Sequence, residues 1–283
     1  MQDPRTGSFR VFDFRIIHGP ASEFSKFVRL RSRRTLECNS RRDGGLTVVP
    51  PAPPSTSQID SASGVLVDIG DIPGGGQLHL VRYGEDYEIL LGEEQLMGSW
   101  ASRSEEALAS LVYERLGERA RHVLIGGLGM GFTLAAARSA LPREATIVVA
   151  ELVPSVVTWA RGPLAHFFHG ALDDPRVSID LRDVHDVIVS HASAFDAILL
   201  DVDNGPDGLV TVANERLYCP WGLRAARAAL RPGGILAVWS AYPDDGFSER
   251  LRAAGFAVEE VFVTPDAAGE HTPDIIWLAS KPD

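Results

Sequence analysis

With 283 residues, 45% of them hydrophobic, the chain is large enough for one α/β domain with an appended module. It contains no apolar run of about 18 residues and no apolar core behind its charged start, so neither a membrane-spanning helix nor a secretory signal is expected, and the cytoplasm is the expected compartment. The net charge of −11 is uneven, with +4 on residues 1–60 and −15 on the remainder; an acidic body repels nucleic-acid phosphates and suits a cationic small molecule.

Cys38 and Cys219 are far apart and lack metal-ligand spacing, so neither a disulfide framework nor a metal site is expected. Within residues 1–60, the basic "RLRSRRTLECNSRRDGG" and the Pro/Ser-rich "PPAPPSTS" have little to bury and read as an extension and linker. One run there, "RVFDFRII", has strand-like alternation.

Residues 61–100 contain short alternating runs, "GVLVDIG", "QLHLVRYG" and "DYEILLG", divided by Gly and Asp, which predict a small antiparallel β-module. Residues 101–283 form the main domain. It opens with "SRSEEALASLVYERL", where Ser102 or Ser104 caps a helix reaching about Leu116, and Glu105 and Glu106 favour its positive end. Strand-like and helix-like segments then alternate: "HVLIGG", a helix over 131–141, "TIVVAEL", a helix over 154–168, "RVSIDL", a short helix from 184, and "AILLDVD". A helix over 215–230, "GILAVWS", a helix over 246–254, "AVEEVFV" and "DIIWLAS" complete the series. Continuous apolar strands between helices predict a parallel sheet covered on both faces. Only a turn-rich link joins the last two, so that pair is expected to be antiparallel. The expected fold is α/β: a Rossmann-like, methyltransferase-type seven-stranded sheet, last strand antiparallel, with a small N-terminal antiparallel β-module.

Ligands of open α/β sheets sit beyond the carboxyl ends of the strands. In "HVLIGGLGMGF", Gly126, Gly127, Gly129 and Gly131 let a ligand approach bare backbone, while Phe132 breaks the dinucleotide fingerprint and argues against NAD. Glu151 ends the next strand, where a carboxylate accepts from ribose hydroxyls. Asp183 follows the third strand and is placed either to accept from an adenine amino group or to cap the next helix. Asp201, Asp203 and Asn204 follow the fourth strand in "DAILLDVDNGP", and carboxylates pushed out of an apolar strand call for a cation such as a sulfonium or an amine. Tyr218 and Trp221 are nominated for the substrate side. His166 and His169, spaced i and i+3 on a predicted helix, have no third ligand. Trp100, Trp159 and Trp239 read as core or interface residues.

Over about residues 64–282 these features resemble the spermidine synthases and their aminopropyltransferase relatives. Gly92 and Gln95 stand like that family's "LDG-x-x-Q", Glu106 like the acid of its "YHE", "GGLGMG" like its "GGGDGG", and "DVDNGP" like its "DSSDP"; Leu217, Tyr218 and "LRPGGILAV" also correspond. The resemblance implies an S-adenosyl-type nucleoside as co-substrate, decarboxylated S-adenosylmethionine or S-adenosylmethionine, held by Gln95, Gly126, Gly127, Gly129, Glu151, Asp183 and Asp201. It further implies a small amine acceptor, a carboxylate base among Asp201, Asp203 and Asn204, no metal, and a homodimer. Three positions depart from the pattern: Gly129 and Asn204 stand where the family has Asp, and Ser104 stands where it has Tyr. A small-molecule methyltransferase and a non-catalytic nucleoside-binding homologue are the competing expectations.

Overall fold

The computed structural model describes residues 64–202, 205–206, 214–244, 246–264 and 272–283. The basic extension, with its "RVFDFRII" run, therefore lies outside the described residues, as do Asp203 and Asn204.

Four strands, β1 (Val65–Asp71), β2 (Gln77–Tyr83), β3 (Asp86–Leu91) and β4 (Glu94–Gly98), form an antiparallel sheet in chain order. Their alternation buries Leu78, Leu80, Tyr87 and Ile89 on one face, as the period-2 pattern requires. A helix, α1 (Arg103–Leu116), leads into the larger sheet.

That sheet is built from β5 (His122–Gly126), β6 (Thr146–Ala150), β7 (Val177–Asp180), β8 (Phe195–Leu200), β9 (Leu230–Ser240), β10 (Ala257–Val263) and β11 (Asp274–Ser280). Its spatial order is β10-β11-β9-β8-β5-β6-β7; β5 to β9 pair in parallel, and β11 pairs antiparallel with both β9 and β10. This is the seven-stranded order expected from the sequence. The helices α2 (Phe132–Ala140), α3 (Pro154–Arg161), α4 (Val184–Val189), α5 (Glu215–Tyr218), α6 (Pro220–Ala229) and α7 (Phe247–Ala253) cover its two faces over separate apolar cores. Strands buried on both faces need apolar residues at every position, hence runs such as "HVLIG" and "DIIWLAS".

Two helices differ from expectation. The helix predicted over 154–168 stops at Arg161, where Gly162 and Pro163 follow and the chain continues in turns. His166 and His169 therefore do not share a helix, and His169 adopts a left-handed φ of 48°. The helix predicted over 215–230 is two helices, because Pro220 starts a new one behind Cys219, whose sulfur accepts from the Gly222 amide.

Sequential strands run β5 to β6 to β7 in one direction, whereas β8 returns to the other side of β5. The switch point between β5 and β8 opens a crevice at their carboxyl ends. Registers align the crevice: Gly126 pairs with Ala150 on β6 and Leu200 on β8, and Leu200 pairs with Val238 on β9. Gly127, Glu151 and Asp201 therefore leave their strands at one level, beside Trp239, which still lies within β9.

The small sheet is fastened above this edge. The buried Trp159 of α3 donates its indole N–H to Asp68 Oδ2 at 2.7 Å, joining α3 to β1. Trp159→Ala removes a fully buried ring and this bond together, and is expected to lower unfolding stability by about 3–5 kcal/mol; a denaturant titration that finds less than about 1 kcal/mol contradicts the role given to this contact.

Candidate functional site

A cavity of about 170 Å³ occupies the crevice, lined by Gly127, Gly129, Glu151, Asp183 and Asp201 from the large-sheet side and by Leu78, Ile89, Leu91, Leu96 and Met97 from the small sheet. Five of the residues nominated from sequence thus come together around one space. Gly126, the last residue of β5, and the exposed Gln95 are not among the lining residues, although Leu96 and Met97 beside Gln95 are.

The first wall is the turn after β5. Gly127 has φ 89°, and a Cβ there would stand 2.2 Å from the Asp201 carbonyl, so β5 and β8 approach too closely for any side chain. At Gly129, with φ 48°, a Cβ would meet Met97 Cε at 2.9 Å. Met97 sulfur accepts from the Met130 amide at 3.1 Å, laying an apolar side chain of the small sheet along the turn.

Glu151 faces that turn. Its Oε2 accepts from the Leu128 amide at 2.9 Å and its Oε1 from the Val153 amide at 2.8 Å. Burial pushes the pKa of this carboxyl up, against the opposing pull of these amide bonds. The amides of Leu152 and Gly129 pull in the same direction as those of Leu128 and Val153, so four backbone N–H groups face this one carboxyl. Asp183 lines the cavity and also caps α4, accepting from the His185 amide at 2.8 Å, while its other oxygen is paired with Arg216. The capping role is the one the structure shows.

At the opposite end stands an acid that the sequence reading did not select. Glu105, in the first turn of α1, is 5% exposed and lines the cavity; Glu106, the residue matched to the acid of "YHE", instead accepts from Ser102 on the outer side of the helix. Helical phase contains the signal. Glu105 shares its stripe with the buried Leu108 and Val112 at i+3 and i+7, whereas Glu106 aligns with the half-buried Ser110. Burial, followed by the Asp201 charge, pushes Glu105 up to about 8. The Ser104 hydroxyl lies 2.6 Å from Asp274 Oδ2 and 2.8 Å from Glu105 Oε2. One hydroxyl proton cannot serve both, so a protonated Glu105 completes the arrangement.

Asp201 is also pushed up, to about 6, by burial, against the hydrogen bond that Thr133 donates to its Oδ2 at 2.6 Å. Thr133 Oγ1 also lies 3.1 Å from the Glu105 carbonyl, which ties α2 to both acids. Among the described residues, four carboxyl groups line the cavity, Glu105, Glu151, Asp183 and Asp201, and no Lys, Arg or His does.

The two aromatic nominees lie elsewhere. Tyr218 is 3% exposed in the core on the other face of the sheet, edge-on to Phe247, with its hydroxyl donating to the Val202 carbonyl at 3.2 Å. Trp221 is 53% exposed, lies 5.1 Å from the His185 ring, and lines a separate hollow between α4 and α6. Trp239, read from sequence as a core or interface residue, is buried and lines the cavity.

Two expectations follow. Gly127→Ala forces a left-handed φ on a residue whose Cβ strikes backbone, and should cost at least about 2 kcal/mol in thermal or chemical unfolding. Glu105 and Asp201 hold protons that the unfolded chain releases, so unfolding stability should fall as pH rises from the ordinary carboxylate range to about 8, and level off above it. In Glu105→Gln the upper part of that decline should flatten; an unchanged slope between about pH 6 and about pH 8 would remove Glu105 as its source.

No family model matches the chain. It is 34% identical over 172 residues to the polyamine aminopropyltransferase of Mycobacterium tuberculosis (strain CDC 1551 / Oshkosh), covering 57% of this chain and 32% of that protein. The chain thus spans about a third of the length of that curated relative. Among solved structures, spermidine synthase from Thermotoga maritima superposes with a TM-score of 0.60 at 20% identity, covering 76% of this chain and 72% of that one. A spermidine synthase in complex with the transition-state analogue AdoDATO gives 0.59 at the same identity and coverages. In sequence the chain is similar to part of a polyamine aminopropyltransferase, and in fold it is similar to spermidine synthases.

Proposed function

We propose that this chain is a transferase that moves an aminopropyl group from decarboxylated S-adenosylmethionine to a small amine. The observation that carries the reading is the acidic lining of the cavity: among the described residues, four carboxyl groups line it and no basic side chain does. Such a wall attracts a sulfonium and an ammonium. It also disfavours the α-carboxylate of intact S-adenosylmethionine, since among the described residues no basic side chain lines the cavity and Arg216 beside it is engaged by Asp183, and this favours the decarboxylated nucleoside over methyl transfer. The related spermidine synthase in complex with AdoDATO adds support from a protein of like fold.

In this reading the nucleoside lies against the backbone of Gly127 and Gly129, with its ribose at Glu151 and its base toward Asp183. Its sulfonium faces Asp201. The acceptor arrives as an ammonium and passes a proton to Asp201, whose raised pKa suits it to hold one. The freed lone pair attacks the carbon next to sulfur. A C–N bond forms, the C–S bond breaks, and sulfur keeps the electron pair as a neutral thioether. Thr133 fixes the Asp201 carboxylate, and the site aligns nucleophile with leaving group. Asp203 and Asn204 remain proposed neighbours of the reacting centre from their place in the sequence.

Calorimetry should find decarboxylated S-adenosylmethionine binding at least about tenfold tighter than the intact form; equal or reversed affinities would refute aminopropyl transfer. Asp201→Asn should lower turnover by about 10²- to 10⁴-fold while affinity for methylthioadenosine, which lacks the sulfonium charge, stays within about threefold, and a variant that retains its turnover removes Asp201 as the base.

A further inference from the structure

The four acids of the cavity differ in what already answers their charge. Glu151 faces four backbone amides. Asp183 accepts from the His185 amide and is paired with Arg216. Glu105 is buried, and the Ser104 hydroxyl beside it lies 2.6 Å from Asp274 Oδ2 and 2.8 Å from Glu105 Oε2. That hydroxyl has one proton, which goes to the nearer Asp274, so its oxygen accepts from a protonated Glu105. Burial and the Asp201 charge act in the same direction, pushing Glu105 up to about 8. Asp201 accepts only from Thr133 among the described residues, so at neutral pH it is the one acid of the four whose negative charge is left for a ligand.

The wall beside Asp201 is apolar. Met97 sulfur accepts from the Met130 amide at 3.1 Å, and Thr133, at the start of α2, lies 3.1 Å from the Glu105 carbonyl and 2.6 Å from Asp201 Oδ2. The segment from Met130 to Thr133 therefore gathers Met97, Glu105 and Asp201 at one end of the cavity, and Leu96, next to Met97 on β4, lines the cavity too. In the transferase reading Asp201 meets the sulfonium and then the reacting nitrogen. A second ammonium on the acceptor would have to lie against Leu96, Met97 or the neutral Glu105. A buried charge without a partner is far more costly than an apolar group in the same place.

We propose that the acceptor is a monoamine with an apolar tail, an alkylamine and not a diamine, with its nitrogen at Asp201 and its tail against Leu96 and Met97. This rests on the aminopropyl-transfer reading and narrows its acceptor class. The transfer itself is unchanged: the amine nitrogen gains the aminopropyl carbon, Asp201 takes the proton, and the thioether leaves.

The test uses the full chain saturated with methylthioadenosine and measures the affinities of pentan-1-amine and butane-1,4-diamine by calorimetry. The two have the same length and differ by a methyl in place of an ammonium, so the comparison does not depend on any variant folding. At about pH 7 the monoamine should bind at least about tenfold tighter. At about pH 9, where Glu105 has lost its proton and offers an anion, that preference should shrink by at least about threefold. The charged groups that act on Glu105 are Asp201 beyond β8 and Asp274 on β11, and Asp201, pushed up to about 6, is ionised at both pH values. In Glu105→Gln the preference should remain at about pH 7 and no longer shrink with pH. A diamine that binds as tightly as the monoamine at about pH 7, a pH effect that survives in Glu105→Gln, or a chain that binds methylthioadenosine but neither amine would each overturn the inference while leaving the transferase reading standing. Failure of methylthioadenosine to bind at all would overturn that reading, and this inference with it.

Discussion

The site depends on one buried carboxylate bonded to backbone. Glu151 takes the amide of Leu128 in the glycine turn and the amide of Val153 at the entry to α3, so the loop after β5 and the start of the helix after β6 share a single acceptor. Strand register supplies the other half of the constraint. The Gly127 amide donates to the Ala150 carbonyl at 2.9 Å, and the Asp201 amide donates to the Gly126 carbonyl at 3.0 Å, which extends the parallel ladder one step past the strands. The residues that follow those steps are the ones that line the crevice. Apolar strands too closely packed to slip thus hold an acid, a bare turn and a second acid at fixed spacing.

Charge is concentrated there at a cost to the fold. Carboxyl groups removed from water are unstable as anions, and Glu105 and Asp201 answer by retaining protons into the neutral range. The same feature makes the site responsive to cations. An ammonium or sulfonium entering the cavity replaces the proton as the compensating charge, so ligand binding and proton release are coupled. Local rules of stability are broken at the helix start that carries Ser104 and Glu105, where an acid sits on the apolar stripe, and the compensating interactions come from Thr133 on α2 and from the Ser104 hydroxyl between Glu105 and Asp274.

The large sheet was legible because its strands are buried on both faces and read as unbroken apolar runs, each followed by a helix, with a turn-rich link before the last. Glu151 and the glycine turn were legible for a related reason: strand ends are the best-defined points in such a pattern. Helix interiors were less so. The 154–168 segment has helical composition, yet Gly162 and Pro163 end it; Cys219 and Pro220 divide the next one, which turns Tyr218 into the opposite core. Glu105 and Glu106 are adjacent in sequence but about 100° apart on the helix, and a motif match alone does not fix that phase. Trp239 was read as a core residue from its strand, and it is buried; that its edge closes a cavity depends on β4 and α1, which sequence reading places only as elements and not in three dimensions.

Of the departures from the resembled family, those at Gly129 and Ser104 fall among the described residues and meet the same cavity. At position 129 the family pattern has an acid, whereas here Gly129 leaves room that Met97 approaches, and the thioether, accepting from the Met130 amide, makes that stretch of wall apolar. The carboxylate absent from the turn is matched by Glu105, which enters the same cavity from α1, beside a serine where the family has a tyrosine. Glu105 is not an equivalent replacement, because burial and the Asp201 charge push its pKa up to about 8 and it holds its proton where an exposed carboxyl would have lost it. A protonated carboxyl offers a hydrogen-bond donor in place of a charge, so the wall that Glu105 and Met97 form differs in chemistry from an acid in the turn.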